Sequence, residues 1–495
     1  MIKKIRIQNF RSIRNLEIQL GEINAFIGPN NAGKSNIMKA LNLILGEVYP
    51  TIKSFDDKDF YKYNKDNPIL IEVLFDQPLI CDNQVYGFKL TYDGSYCDYV
   101  PINFQRNTLT YSSGRIMKVS NEMKEEVTLM YLSLDRLASK QVSPSQWTLY
   151  GKLLKHLNAQ IEDQRKDEFK KLLDDAYKQK LSSVVEPFEN ILRSHIQNQT
   201  GLQIFLKLSI LDPTVIMKNL RPYFKDGDIE YDAEDMGAGI QSALAIAIAR
   251  AYAEMVRRPL IIAIEEPELY LHPHGCRHFY KLLKNLSNNG LQVIYTTHER
   301  SFVNFSNLES IHIVRKEGEE TKVYSGISFS TFSDLDEVKV ASKFNEYINE
   351  VFFADQVILV EGFSDKIACQ LALERLGLDI DLKNISIIEC GSKTAIRPIA
   401  EILKHFKIDT YVLIDSDAQN EIFQLQNLLG SDRVFIQNPD LEGMLGRDRL
   451  GLKPNEKLNK EKSLRILPSY FQNVENIEIL QIYHHLKEKL IGDEI

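Results

Sequence analysis

The chain has 495 residues, 44% of them apolar and 26% charged, with 24 glycines, 16 prolines and five cysteines. At roughly 150 residues per domain, that length allows about three folding units, and the composition excludes fibrous or long disordered stretches. A net charge of −8 excludes nucleic-acid binding through bulk charge but leaves room for a local basic groove. No apolar run approaches the ~18 residues of a membrane-spanning helix. The opening MIKKIRIQNF lacks the apolar core of a secretory signal. Without a C-x-x-C pair, Cys81, Cys97, Cys276, Cys369 and Cys390 make neither a zinc ribbon nor a disulfide framework. A cytoplasmic chain with no membrane partner is expected.

In chain order, residues 2–8, 23–27 and 69–75 form short apolar bursts of β type. After the second comes Gly28-Pro-Asn-Asn-Ala-Gly-Lys-Ser35, a G-x-x-x-x-G-K-[ST] loop ahead of a helical pattern at 36–45. Such a loop curls so that backbone N–H groups and a helix N-terminus face phosphate oxygens. Lys34 is expected to reach the β- and γ-phosphates of ATP and the Ser35 hydroxyl to bind Mg²⁺. Asn30, Asn31, Gly33 and Asn36 complete the expected nucleotide contacts. From about 122 to 198 apolar residues recur at three and four positions, as in Leu153, Leu154, Leu157 and Ile161. That predicts a helical insertion, either a layer on the head or a dimerisation arm.

Gly237 and Gly239 open the apolar helical run 242–252, an anion-binding helix start. The strand pattern 260–264 ends in Glu265-Glu266-Pro267-Glu268. Glu265 is expected to hold the same Mg²⁺ as Ser35, and Glu266 to polarise the attacking water. His298 follows the strand pattern 291–295, where it would sense the γ-phosphate. Beyond 240, helical patterns alternate with apolar runs at 356–360, 385–388, 411–414 and 434–436, which predicts βαβ units and a parallel sheet. The acidic stretch 334–337 marks a boundary and a helix at about 342–353 leads into the next unit. The expected division is an ATPase domain over 1–335, a second α/β domain over 336–450 and a basic C-terminal segment over 451–495.

In that second unit Glu361 closes one strand, with Asp365 one helical turn later. Asp415-Ser416-Asp417 closes another, and Asp440-Leu441-Glu442 follows a third. A parallel sheet gathers such strand ends at one edge. Several carboxylates there repel one another unless a cation intervenes, and hard oxygen donors select Mg²⁺ or Mn²⁺. A pair of such ions activates water against a phosphodiester. Asp365 and Asp440 also fit as helix N-caps. Residues 447–465 then carry seven basic side chains against three acidic ones, a strip suited to DNA phosphates.

Phe26–Ser35, Ile264–Pro273, Thr297-His298 and the opening Ile5–Arg11 together resemble ABC-type ATPases of the branch with SMC-like and RecF-like heads. The resemblance implies ATP sandwiched between two heads, with the Gly237–Gly239 turn of one touching the nucleotide of the other. Ala238 stands where that family often has serine. Glu361, Asp415 and Asp417, with Gly391 and Lys393 in the intervening loop, resemble the Toprim domain, and Asp365 and Glu442 resemble its nuclease branch. An ABC-type head with a helical insertion followed by a Toprim-type parallel-sheet domain is similar to the OLD (overcoming lysogenisation defect) endonucleases, Gabija-type nucleases included. This resemblance implies two metals held by Glu361, Asp365, Asp415, Asp417 and Glu442, and a catalytic lysine, Lys453 or else Lys457. It also implies ATP control of DNA cleavage, homo-oligomers, anti-phage defence and a neighbour-encoded subunit such as a helicase or reverse transcriptase. The competing reading is a RecF-like repair scaffold with a non-catalytic Toprim module.

Overall fold

The computed structural model describes residues 1–133, 148–180, 182–200, 220–256, 259–269, 271–303, 305–326, 348–474 and 480–491. The expected boundary at 334–337 and the start of the helix expected at 342 lie outside the described residues.

The N-terminal part is built on two sheets. An antiparallel sheet has the order β2-β1-β4-β5-β6, with β1 Ile2–Phe10, β2 Ile13–Gln19, β4 Ile69–Phe75, β5 Gly87–Tyr92 and β6 Cys97–Ile102. The second sheet has the order β13-β12-β3-β11-β10-β7, with β3 Ile23–Ile27, β7 Thr128–Leu132, β10 Leu260–Glu265, β11 Gln292–Thr297, β12 Ile311–Glu317 and β13 Glu320–Ser325. It is parallel except for the terminal β12–β13 hairpin. Its central strands are buried on both faces and therefore read as unbroken apolar runs. The helix Lys34–Leu45 buries Ile37, Met38, Leu41 and Ile44 between the two sheets, in one core with Ile7, Ile71, Phe88, Ile261 and Ile294. Each such side chain contributes roughly 1.5–3 kcal/mol by leaving water.

The stretch expected to be helical from about 122 is not uniformly so. It opens with a helix at Asn121–Glu126, and β7 then pairs in parallel with β10 as the edge of the second sheet. Helices follow at Leu149–Ala159, Asp163–Lys180 and Ser182–Thr200. The first packs on the helix Ala238–Val256, and the other two pack on each other. A small hairpin, β8 Tyr223–Asp226 with β9 Ile229–Asp232, comes before the glycine-rich turn.

The C-terminal sheet is fully parallel, in the order β15-β14-β16-β17, with β14 Gln356–Val360, β15 Ile385–Glu389, β16 Asp409–Asp415 and β17 Val434–Gln437. One face shares a continuous core with the mostly parallel N-terminal sheet through Val351, Phe352, Val357, Leu359 and Phe406. The other face is covered by the helices Phe363–Arg375, Lys460–Asn473 and Gln481–Ile491. The segment expected as a basic tail is thus part of this fold, because Leu467, Phe471, Tyr483 and Leu486 are buried in it.

Polar contacts cross the seam between the two parts. Arg300 Nη1 pairs with Glu350 Oε2 at 2.8 Å, and Ser386 Oγ on β15 donates to Glu350 Oε1 at 2.8 Å. Asn349 Nδ2 donates to Val303 O at 3.0 Å and Arg300 O at 3.2 Å. His405 Nε2 lies 3.0 Å from Ser325 O.

Candidate functional sites

The chain leaves β3 at Gly28 and enters the first helix at Gly33, whose φ is 109°. A Cβ at Gly33 would stand 2.1 Å from Thr321 Oγ1, and one at Gly28 would stand 2.0 Å from Val314 O. Only glycine lets the loop lie this close to β12 and β13. Thr321 Oγ1 donates to Ala32 O at 2.8 Å and fastens the loop there.

Lys34 is buried, and its ammonium is fully engaged with Gly28 O at 2.8 Å, Pro29 O at 3.0 Å and His298 Nε2 at 2.9 Å. Burial lowers it to about 8 against the opposing pull of Glu266, Glu268 and Glu265. Burial, then the charge of Lys34, lowers His298 to about 4, so the ring is neutral at physiological pH. With Lys34 donating to Nε2, the ring proton belongs on Nδ1. Ser35 Oγ donates to Glu265 Oε2 at 3.0 Å. The residues expected to share one Mg²⁺ therefore touch directly, and their oxygens suit a hard cation. Glu266, in the left-handed region at φ 44°, is anchored by its N–H to Thr296 O at 3.0 Å, and its Oε1 lies 3.5 Å from His298 Nε2. Asn30 and Asn31 are exposed on the loop. Asn36 faces away from it, since its Nδ2 donates to Ser12 Oγ at 2.8 Å. Gly237 lies in an exposed turn and Gly239 in the first turn of the helix behind it.

Two partners were not singled out in the sequence. Tyr131, on the strand hidden in the helical stretch, hydrogen-bonds Glu265. Glu268 Oε1 accepts the His298 N–H at 2.7 Å and the Thr297 hydroxyl at 3.0 Å, while its buried Oε2 takes no hydrogen bond. Burial raises the Glu268 carboxyl.

In the C-terminal sheet, β14 and β16 are adjacent and pair Val360 with Leu413, so Glu361 and Asp415 emerge at the same edge. Asp365 sits in the first turn of the helix after β14. Its Oδ2 accepts the Gly362 N–H at 3.1 Å, so it caps the helix from the third helical position, while Gly362 holds the N-cap place expected for it. Its Oδ1 faces Asp415 across the Gln437 amide, which, turned so that its nitrogen meets the two carboxylates, donates to Asp365 Oδ1 at 3.0 Å and to Asp415 Oδ1 at 2.9 Å. Gln437 carries no charge and belongs to no motif, so only the register Asp415↔Gln437 between β16 and β17 reveals it. Burial, then Asp415 and Glu361, push Asp365 up to about 7. Burial pushes Asp415 up to about 6, with Lys457 opposing and Glu361, Asp440 and Asp417 reinforcing. Asp417 is exposed and pairs with Lys393 at 3.3 Å.

Two assignments look different in three dimensions. Glu442 is buried, and its Oε1 accepts the Leu458 N–H at 2.7 Å, so it ties down the chain after the short helix Leu441–Leu445. Lys453 is exposed, with its backbone N–H given to Glu456 at 2.8 Å, whereas the charge that acts on Asp415 is that of Lys457. In the basic strip, Arg447 pairs with Asp440 at 2.6 Å and Lys462 pairs with Glu456, which leaves fewer free cations than the count suggests.

Among the described residues, no three His, Cys, Asp or Glu side chains already form a metal cage. The donors nevertheless fit a divalent ion in kind: Glu361, Asp365, Asp415 and Asp417 offer hard oxygens, and burial raises both Asp365 and Asp415, with the charge of Asp415 raising Asp365 further. No helix among the described residues is long and apolar enough to cross a membrane.

Comparison with known proteins agrees with this two-part reading. Residues 1–126 and 96–303 match the AAA ATPase domain family, and residues 352–417 match the Toprim domain of overcoming-lysogenization-defect-like proteins. The chain is 28% identical to an OLD nuclease of Thermus scotoductus, over 91% of this chain and 92% of that protein. It is 23% identical to the Old nuclease of Escherichia phage P2, over 90% and 81% of the two chains. To the endonuclease GajA of Bacillus cereus it is 22% identical, over 92% and 83%. The ATPases and Toprim proteins these domains typify use ATP and divalent metal. The chain belongs to the AAA ATPase domain family, carries an OLD-like Toprim domain in the same polypeptide and is similar to OLD nucleases over most of its length.

Proposed function

We propose that this protein is a DNA endonuclease that cleaves with Mg²⁺ or Mn²⁺ at the Toprim edge and is controlled by ATP at the loop 28–35. The observation that carries the reading is the meeting of Asp365 and Asp415, with Glu361 and Asp417 beside them, at a pair of parallel strand ends. A bound divalent ion would supply Lewis acidity and a metal-activated water. The residues themselves hold that charge in place: Glu361, Asp365, Asp415 and Asp417 provide oxygens, Gln437 orients two of them, and Lys457 faces the phosphate. Glu442 acts by positioning the loop that carries Lys457.

At the other site, Lys34 would give up its three hydrogen bonds to reach the phosphate oxygens of a bound nucleotide, and His298 would thereby be released. His298 lies two residues before Arg300, the start of the seam to β15, and that is a short route from phosphate to nuclease. The arm exposes Phe169, Leu172, Phe188 and Ile191, an apolar face that a second copy would cover. Anti-phage defence is the biological role most in keeping with the relatives.

The test is plasmid nicking in Mg²⁺ and in Mn²⁺. Glu361→Gln and Asp415→Asn are expected to lose at least ~10³-fold of the rate while the thermal unfolding midpoint is kept. Full activity in both variants would end the proposal.

A further inference from the structure

Alternation along β1 sends Ile5 and Ile7 into the core and Lys4, Arg6 and Gln8 to the outer face of the antiparallel sheet. On that face lies an open groove of about 730 Å³. Its cations are Arg14, Lys62 and Lys89. The other lining residues are amides, a tyrosine and small or apolar groups, with no carboxylate among them. This is unusual wall chemistry for a chain of net charge −8.

The groove is also built rather than merely exposed. Asn9, Lys62 and Tyr63 hold left-handed backbone at φ 53°, 52° and 58°, conformations that cost non-glycine residues about 1 kcal/mol or more each and persist only when neighbours enforce them. Here Asn9 Nδ2 enforces them by donating to Asn64 O at 3.0 Å, which locks the loop 61–67 onto the end of β1. Beside the groove, Glu72 is 3% exposed, and its Oε2 takes no hydrogen bond. Arg6 and Lys89 approach its carboxylate at 3.7 Å and Arg106 at 4.0 Å. One buried carboxylate thus spaces Arg6 and Lys89 along the groove's flank, while Arg106 is held by Glu17 at 2.8 and 2.9 Å.

We infer that this face of the ATPase part binds the phosphate backbone of duplex DNA, as a surface separate from the Toprim carboxylates. The inference rests on the DNA-cleavage reading above. Cations gripping phosphates with side-chain amides beside them are the composition of a backbone-positioning contact. The open form suits a long polyanion rather than an enclosed small ligand.

The experiment is fluorescence anisotropy of a labelled duplex with the full chain in EDTA, so that binding is read without cleavage. Arg14→Glu with Lys62→Glu is expected to weaken binding at least ~10-fold and to reduce the slope of log affinity against log salt by about 2. Glu319→Gln, which frees Lys62 from its ion pair, is expected to strengthen binding ~2-fold or more. Retained ATP binding and an unchanged melting midpoint identify folded variants, and Arg14→Gln with Lys62→Gln serves if the charge reversals unfold the chain. Unchanged affinity and salt slope would overturn the inference, as would loss of ATP binding with DNA binding intact, which would make the groove a nucleotide site. Wild-type chain that neither binds nor cuts duplex DNA would instead overturn the DNA-cleavage reading itself.

Discussion

The two sites solve opposite electrostatic problems. At the phosphate loop, opposite charges and complementary dipoles already satisfy one another: Lys34 holds two carbonyls and His298, and Ser35 holds Glu265. At the Toprim edge, like charges are assembled against their preference, and Asp365 and Asp415 are raised to about 7 and about 6. Under the proposed function, the first site would exchange internal hydrogen bonds for nucleotide and so suits a switch, whereas the second gathers carboxylates that a cation would reconcile and so suits metal-dependent catalysis.

The contrast is broken most severely at Lys34. Lys34→Ala removes the group that reaches the phosphates and is expected to lower ATP turnover at least ~100-fold and to abolish any ATP effect on plasmid nicking. Nicking without ATP should remain, and its loss would mean that the two sites are not separable. A second break distinguishes the lysines. Lys457→Ala is expected to slow nicking ~10- to 100-fold and Lys453→Ala less than ~3-fold, because the Lys457 charge acts on Asp415. The reverse order in single-turnover nicking would contradict that geometry. A third test sharpens the link between sites. Arg300→Ala removes the ion pair to Glu350 and should cut the ATP effect on nicking by ~5-fold, about 1 kcal/mol of coupling, while turnover and basal nicking stay near wild type. An ATP effect of full size in this variant would move the coupling elsewhere.

The smallest effect is on stability. His312 is buried against Asn24 and Ser325, stacked on Phe26, and burial lowers it to about 4. Its folded form resists protonation while the unfolded chain takes up a proton near pH 6.5. Its contribution is therefore complete above about pH 6.5 and is lost as pH falls towards 4, at up to ~1.4 kcal/mol per pH unit. In urea melts from pH 7 to pH 5 the wild type should lose more stability with acid than His312→Gln, since the raised Asp365 and Asp415 contribute the opposite slope equally to both. An equal slope in the variant would assign the loss to other groups.

Much of this fold and of both candidate sites was legible in the sequence, because buried parallel strands write unbroken apolar runs and their ends write the chemistry. The loop 28–35, Glu265, Glu361 and Asp415 all sit at such ends. What stayed illegible depends on register and on packing between distant segments. The strand Thr128–Leu132 lay inside a helical pattern because five residues are too few to show a period, and Tyr131 was hidden with it. Gln437 is recognisable only from its pairing with Asp415. The burial of Glu442 and the exposure of Lys453 were hidden for a similar reason, since spacing along the chain does not say which carboxylate turns inward or which lysine of a loop turns towards the edge.

The central claim is that the Toprim carboxylates bind divalent metal as a group, and Mn²⁺ binding followed by electron paramagnetic resonance on nucleotide-free protein tests it most directly. The account predicts saturable binding to the wild-type chain that disappears when Asp365→Asn and Asp415→Asn are combined and that survives Lys34→Ala. Mn²⁺ bound equally well by the double variant would contradict it.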